Sequence, residues 1–191
     1  WSAWSTTRAT TRGTFHKEYP LRPGMPREVA RRQLGVSTSR VFDTLVVASV
    51  ARQLVVDDGA TLRTPEFRIA LDPARRHQAD QWLTAMQATP STPPSSADYA
   101  IDSETLAALA HNQEIIRASD TVAFGTAAWA NLVSETLAYI DTHGTITMAQ
   151  FRDHFGASRK YAQAALEHMD RHKRTRRSGD DRVRATPRTP A

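Results

Sequence analysis

The chain contains no cysteine. That excludes a disulfide framework, a thiolate metal site and a cysteine nucleophile. Long apolar runs are missing as well. No stretch approaches the roughly 18 apolar residues of a membrane span, and no basic segment leads into the apolar core of a secretory signal. The patterns HExxH, GxSxG, GxGxxG and GxxxxGK(S/T) are absent, so no hydrolase, dinucleotide or NTPase signature is present. His168 and His172 stand four residues apart, but the sequence offers no third ligand beside them, and we expect no metal. These absences point away from an enzyme and toward a binding protein that needs no cofactor.

Of the 191 residues, 40% are hydrophobic and 24% charged, a soluble globular balance. The first residue is Trp1 rather than Met, so we expect a fragment or a truncated product with N-terminal domains missing. The net charge of +5 is unevenly spread. From Phe155 onward there are ten Lys/Arg against four acids, a local excess of +6, whereas residues 1–154 carry about −1. A concentrated positive field attracts polyanions by Coulomb forces and by counterion release from phosphates.

One pattern occurs near the start and returns at the end. Arg27–Leu34 reads as a short helix, Gly35-Val36-Ser37 as a turn, and the stretch to Gln53 as a longer helix. A hairpin follows through Asp57-Asp58-Gly59. The copy near the end has Met148–Phe155, the turn Gly156-Ala157-Ser158, a helix to His172 and a hairpin through Ser178-Gly179-Asp180-Asp181. The two copies align without gaps at an offset of 121. The space between them holds a helix over Pro73–Ala88, with Ala79, Trp82, Leu83 and Met86 on one face. A second helix over Asp102–His111 and a hairpin over Glu114–Phe124 follow. We expect a mostly α fold with small β-hairpins, built as tandem winged-helix modules. The expected divisions are 1–70 (first helix poorly formed), 71–125 and 126–185, followed by a disordered tail at 186–191. The serine after each turn suits a helix N-cap, and Gly144 suits a C-cap after a helix carrying Trp129, Leu132, Val133, Leu137 and Ile140.

In the helix from Ser158, a stripe of Ala162, Ala165, Leu166 and Met169 must face the core. Lys160, Ala164, Glu167 and Arg171 fall opposite it, and Gln163 flanks them. Ala164 is small enough to admit a backbone or base. Arg159 and Lys160 sit in the first turn, beside amides that favour anions. The wing adds Arg174, Arg176, Arg177 and Arg182, suited to phosphate, to a guanine edge or to stacking on a splayed base. Tyr161 is a candidate stacking partner, and equally a candidate for semi-buried packing. At the offset of 121, Arg159 and Lys160 fall on Thr38 and Ser39, and Arg176, Arg177 and Arg182 on Val55, Val56 and Thr61. The first copy thus lacks the charge that the last one carries. We expect the last module to bind nucleic acid and the first two to act as spacers or protein contacts.

Two segments resemble the C-terminal region of the bacterial selenocysteine-specific elongation factor family, SelB. Tyr19-Pro20-Leu21-Arg22-Pro23-Gly24-Met25-Pro26-Arg27-Glu28 is similar to the start of that family's second winged helix. The other segment is Phe151-Arg152-Asp153, Ser158-Arg159-Lys160-Tyr161-Ala162, Leu166–Arg171 and Thr175–Val183, and it is similar to the fourth. The resemblance covers roughly residues 15–184. It implies that the last winged helix binds a hairpin in selenoprotein mRNA, the SECIS element. It further implies an N-terminal GTPase region carrying GTP and selenocysteinyl-tRNA to the ribosome, in a cytoplasmic factor that we expect to be monomeric. Arg159, Lys160, Arg176, Arg177, Asp181 and Arg182 fall in the matching motif. With Tyr161, Gln163, Arg171 and Arg174 they form the expected RNA-binding set. Lys173 and Arg174 stand where the family usually has a glycine and an apolar residue, and Arg184 stands where an apolar wing residue is usual. Residues 1–14 do not resemble the family's amphipathic first helix. The residues alone leave open a DNA-binding regulator of the same fold, or a scaffold whose basic face meets an acidic protein.

Overall fold

Gln53, Gln113 and Lys173 have positive φ, and they stand sixty residues apart. In the computed structural model, which describes Phe15 and residues 18–185, each closes a module's long helix in the same way. These helices are α2 (Ser39–Ala51), α4 (Ser103–His111) and α7 (Arg159–Arg171). Past each one, the amide of Leu54, Glu114 or Arg174 donates back to Ser49, Leu109 or Met169 at 2.9–3.0 Å. The amides of the three left-handed residues donate to Val50, Ala110 and Asp170 at 2.9–3.1 Å. This paired closure satisfies carbonyls that the helix end leaves open, and its recurrence shows three copies of one supersecondary unit.

The first copy contains β1 (Met25–Pro26), α1 (Arg27–Gln33), α2, β2 (Val56–Asp57) and β3 (Thr61–Arg63). Its three strands are antiparallel in the order β1-β3-β2. The second has α3 (Pro73–Ala88), a 3-10 turn at Ser96–Tyr99, α4, β4 (Ile115–Arg117) and β5 (Ala123–Gly125). The third has α5 (Thr126–His143), β6 (Ile146–Thr147), α6 (Met148–Phe155), α7, β7 (Thr175–Ser178) and β8 (Asp181–Arg184), with sheet order β6-β8-β7. This is the expected mostly α fold of tandem winged helices. The ragged first helix expected over 1–14 and the tail at 186–191 lie outside the described residues.

One register differs from the sequence reading. The helix N-cap in the first module is Thr38, not Ser37, whereas the last module caps at Ser158. From that point the copies are offset by 120, because the first module's turn holds one extra residue. Strand pairing agrees: Val56 faces Arg63 and Asp57 faces Leu62, as Arg176 faces Val183 and Arg177 faces Arg182. Neither cap hydroxyl bonds the first turn of its helix. The capping box is instead made one helix earlier, where Thr147 and Gln150 each accept from the other's backbone amide.

The chain divides into two compact units, 1–73 and 74–191. In the first, Phe15, Met25, Ala30, Phe42, Val46, Val55 and Leu62 form the core. The second unit holds both remaining modules. Ala118, Val122 and Phe124 of the β4–β5 hairpin join Leu132, Ile140, Phe151, Leu166 and Met169 in one continuous core. Trp82 is buried on α3 and donates from its indole nitrogen to Pro94 O at 3.0 Å, so its polar atom is not left unpaired. Among the described residues, no helix is long and apolar enough to cross a membrane.

Candidate nucleic-acid interface

α7 owes its position to Ala162, Ala165, Leu166 and Met169, all fully buried as their 3.6-residue spacing predicts. The outer stripe of Lys160, Gln163, Glu167 and Arg171 is exposed. Ala164 is the exception to the helical-wheel reading. It is 5% exposed, because the β4–β5 hairpin covers a second flank of α7 that the wheel assigned to solvent. No base or backbone can approach there.

Tyr161 belongs to the same contact. Its hydroxyl donates to Pro93 O at 2.8 Å and its ring meets Phe124 edge-on at 6.4 Å. Of the two readings open for Tyr161, stacking or packing, these contacts are those of packing. At the other end of α7, Arg171 Nη2 reaches Ala118 O at 3.5 Å. His168 lies edge-on to Trp129 and stacks on His172. Burial pushes the His168 imidazole below its usual pKa, helped by the neighbouring His172 and Arg171.

The cations separate into two groups. Arg159 and Lys160 are exposed in the first turn of α7, where the thirteen-residue helix presents its positive dipole end. Arg174, Arg176 and Arg177 are exposed where the chain enters the wing and along β7. The Arg177 side chain is 65% exposed, and its Nε donates to Gly179 O at 2.9 Å across the wing turn. Gln163 is exposed and donates its amide nitrogen to Glu167 at 2.9 Å. Asp181 is half-buried and its backbone pairs with Thr147 and Ser178.

Arg182 corrects the sequence expectation. It is 4% exposed, and its Nε donates to Asp170 Oδ2 at 3.3 Å. The other oxygen of Asp170 accepts from the buried Thr175 hydroxyl at 2.6 Å. A buried, paired guanidinium is not presented to a ligand; it ties the last turn of α7 to the wing. Asp170 is the residue that sequence reasoning missed here. It lies between core and surface on the wheel, and only the folded hairpin shows what it meets.

At the offset of 120, Arg159 falls on Ser39, Arg176 on Val56 and Arg177 on Asp57. Lys160 falls on Arg40, the one of these four cations that the first copy keeps. Asp57 of the first wing is ion-paired to Arg27. The basic face of the last module is thus replaced in its sibling by neutral and neutralised groups, with that single exception.

Comparison with known proteins agrees with this description. Residues 138–184 match a family model described as elongation factor SelB, winged helix, and residues 13–63 match a second model with the same description. They are models of that family's third and second winged helices; the sequence reading had placed the last module on the fourth. One similar solved structure is the mRNA-binding domain of elongation factor SelB from E. coli in complex with SECIS RNA. It is 25% identical, covers 57% of this chain and 97% of that one, and has a TM-score of 0.48. Another is the bacterial selenocysteine-specific elongation factor EF-Sec, 13% identical over 97% of this chain, with a TM-score of 0.53. That likeness is one of fold, and this chain spans 30% of the EF-Sec chain. No curated protein matches the sequence. The two matched models together take in half of the residues, one in each compact unit, and the chain belongs to the SelB elongation factor family as part of its winged-helix region.

Proposed function

We propose that this chain is the RNA-binding arm of a selenocysteine-specific elongation factor. It holds a hairpin in selenoprotein mRNA, of the SECIS kind named for the E. coli relative, and so tethers the factor at a UGA codon. The observation that carries this reading is the exposed set Arg159, Lys160, Arg176 and Arg177 at the start of α7 and on the wing. Its counterparts in the first module are Ser39, Arg40, Val56 and Asp57. Membership of the SelB family supports RNA as the ligand, and the placement fits a winged helix gripping a phosphate backbone from two sides. The arm works by binding rather than catalysis, and needs no cofactor of its own. GTP, selenocysteinyl-tRNA and ribosome contacts belong in this proposal to other regions of the factor.

A titration with a SECIS-type hairpin, a scrambled hairpin and duplex DNA tests the reading. The hairpin is expected to bind most tightly, and Arg177→Ala to weaken it by about 1–3 kcal/mol. Equal affinity for the two RNAs would remove specific recognition. Displacement of the hairpin by duplex DNA would favour a transcriptional regulator instead.

A further inference from the structure

The exposed face of α7 carries cations at both ends and an acid near its centre. Lys160, Gln163, Glu167 and Arg171 follow one another at helical spacing, and all four are exposed. Arg171 stands four residues after Glu167, the order that suits a helical ion pair. Its guanidinium turns instead to Ala118 O, at 3.5 Å. Glu167 bonds the neutral residue four places before it, where Gln163 Nε2 donates to Glu167 Oε1 at 2.9 Å.

That bond sets which way the Gln163 amide faces. An ionised carboxylate only accepts, so it takes the NH2 group of the glutamine. The carbonyl oxygen, Oε1, is left on the side turned away from Glu167. Lys160, three residues earlier, is placed to occupy that oxygen, but its Nζ lies over the Tyr161 ring, 5.6 Å from the centroid. The centre of the face therefore offers acceptors, whereas Arg159 and Lys160 at its start offer donors. A phosphate is repelled by the Glu167 charge. A hydrogen-bond donor fits, and the exocyclic amino groups of bases are donors that an RNA exposes wherever a base is unpaired.

The sibling modules lack this pair. At the offset of 120, Gln163 and Glu167 fall on Asp43 and Val47. Asp43 is ion-paired to Arg27, and Val47 is an exposed apolar residue. At an offset of sixty they fall on Ser103 and Ala107. The glutamine and its carboxylate occur together in the module that carries the basic face.

We propose that Gln163 is a specificity-determining residue of the RNA surface, accepting through Oε1 from the amino group of an unpaired base. Glu167 is the positioning residue that holds the amide in that sense. The inference rests on RNA binding by α7 and the wing, and adds the chemical group that the centre of α7 reads.

The test uses SECIS-type hairpins from which one exocyclic amino group is deleted at an unpaired position: inosine for guanosine, purine riboside for adenosine, pyrimidinone riboside for cytidine. A second set carries deoxyribose at the same positions. Each is titrated against the 191-residue chain and its Gln163→Leu and Glu167→Lys variants. The quantity read is the ratio of affinities for the intact and the deleted hairpin, which cancels the general gain that a new cation brings. One amino deletion is expected to weaken binding to the unaltered chain about fivefold, the scale of a single hydrogen bond, and to leave Gln163→Leu unaffected. In Glu167→Lys the new ammonium donates to Oε1 and turns the NH2 group outward, so the same deletion is expected to cost nothing. If no amino deletion weakens the unaltered chain more than Gln163→Leu, the proposal is overturned. A Gln163-dependent loss seen only with deoxyribose would overturn it too, by naming the sugar hydroxyl as the donor. A scrambled hairpin separates the two failures. Binding it as tightly as the SECIS-type hairpin removes specific RNA recognition altogether, whereas a preserved preference without a Gln163-dependent deletion overturns this proposal alone.

Discussion

The Arg182 guanidinium is buried against Asp170, with 3.3 Å between Nε and Oδ2. The first module has no such pair. At the same positions it carries Leu62 and Val50, and Val55 stands where Thr175 completes the polar group. Val55 and Leu62 are buried there at 5% and 6% exposure. One fold position is thus filled by buried Val55 and Leu62 beside an exposed Val50 in one copy, and by a hydrogen-bonded trio in the other. Asp170→Val alone leaves Arg182 buried without its partner and is expected to cost about 3–5 kcal/mol. The triple change Asp170→Val, Thr175→Val, Arg182→Leu copies the first module, and is expected to recover wild-type stability or exceed it by about 1–4 kcal/mol. Urea unfolding of the single and triple variants checks this; a triple variant no more stable than the single one would refute it.

Lys173 holds φ at +55° where a glycine would close the helix without strain. The left-handed conformation costs a non-glycine residue roughly 1–2 kcal/mol, and part of that returns as chain entropy when glycine replaces it. Lys173→Gly is therefore expected to raise stability by about 1 kcal/mol. Thermal unfolding measures it, and a fall in Tm would show that the lysine side chain makes a contact worth more than the strain.

Gly24 packs under β3. A Cβ there would lie 2.8 Å from Leu62 O and 2.7 Å from Thr61 Oγ1, and the carbonyl cannot move aside without breaking the β1–β3 pairing. Gly24→Ala is expected to cost the first unit about 1–3 kcal/mol. Hydrogen exchange should show faster opening among residues 25–63 and no change at Leu166 or Met169; protection unchanged in both would contradict the packing described.

His168 is kept neutral by burial against Trp129 and the β4–β5 hairpin. Its pKa is lower in the folded chain than the ordinary 6.5 or so of an exposed imidazole. The unfolded chain therefore takes up the proton first as pH falls. Stability from this group is complete above about pH 6.5 and declines as pH drops through the range between the two values. His168→Gln should flatten that decline. Unfolding midpoints followed from pH 7.5 to pH 5, on the order of the imidazole range, distinguish the two proteins.

Much of this was legible from residue spacing. Pro73–Ala88 was readable as a helix with Trp82 inward, and Leu166 and Met169 as core, because a 3.6-residue period demands it. What spacing could not show was a second covered flank. A helical wheel assumes one buried face, so it puts Ala164 on the solvent side although the middle module's hairpin covers that flank, and it leaves Tyr161 open between stacking and packing. Arg182 reads as a ligand contact because it is a wing cation in the matching motif; only Asp170 and Thr175, brought together by the hairpin, make its burial tolerable. The extra residue in the first turn was hidden because Gly35-Val36-Ser37 and Gly156-Ala157-Ser158 align by identity while the helix caps do not. The contrast between basic and neutral copies survived that correction at every position except Lys160.

The most direct test of the central claim is the salt dependence of hairpin binding. Each phosphate contact adds close to one to the slope of log affinity against log salt. Arg159→Ala, Lys160→Ala, Arg176→Ala and Arg177→Ala are expected to lower the slope by up to about one each wherever a phosphate is held. The triple apolar swap that removes the buried Arg182 should leave both slope and affinity unchanged. Slopes unaffected by all four exposed changes, or a large loss from the swap in a protein that still folds, would contradict the assignment of α7 and the wing as the RNA-binding surface.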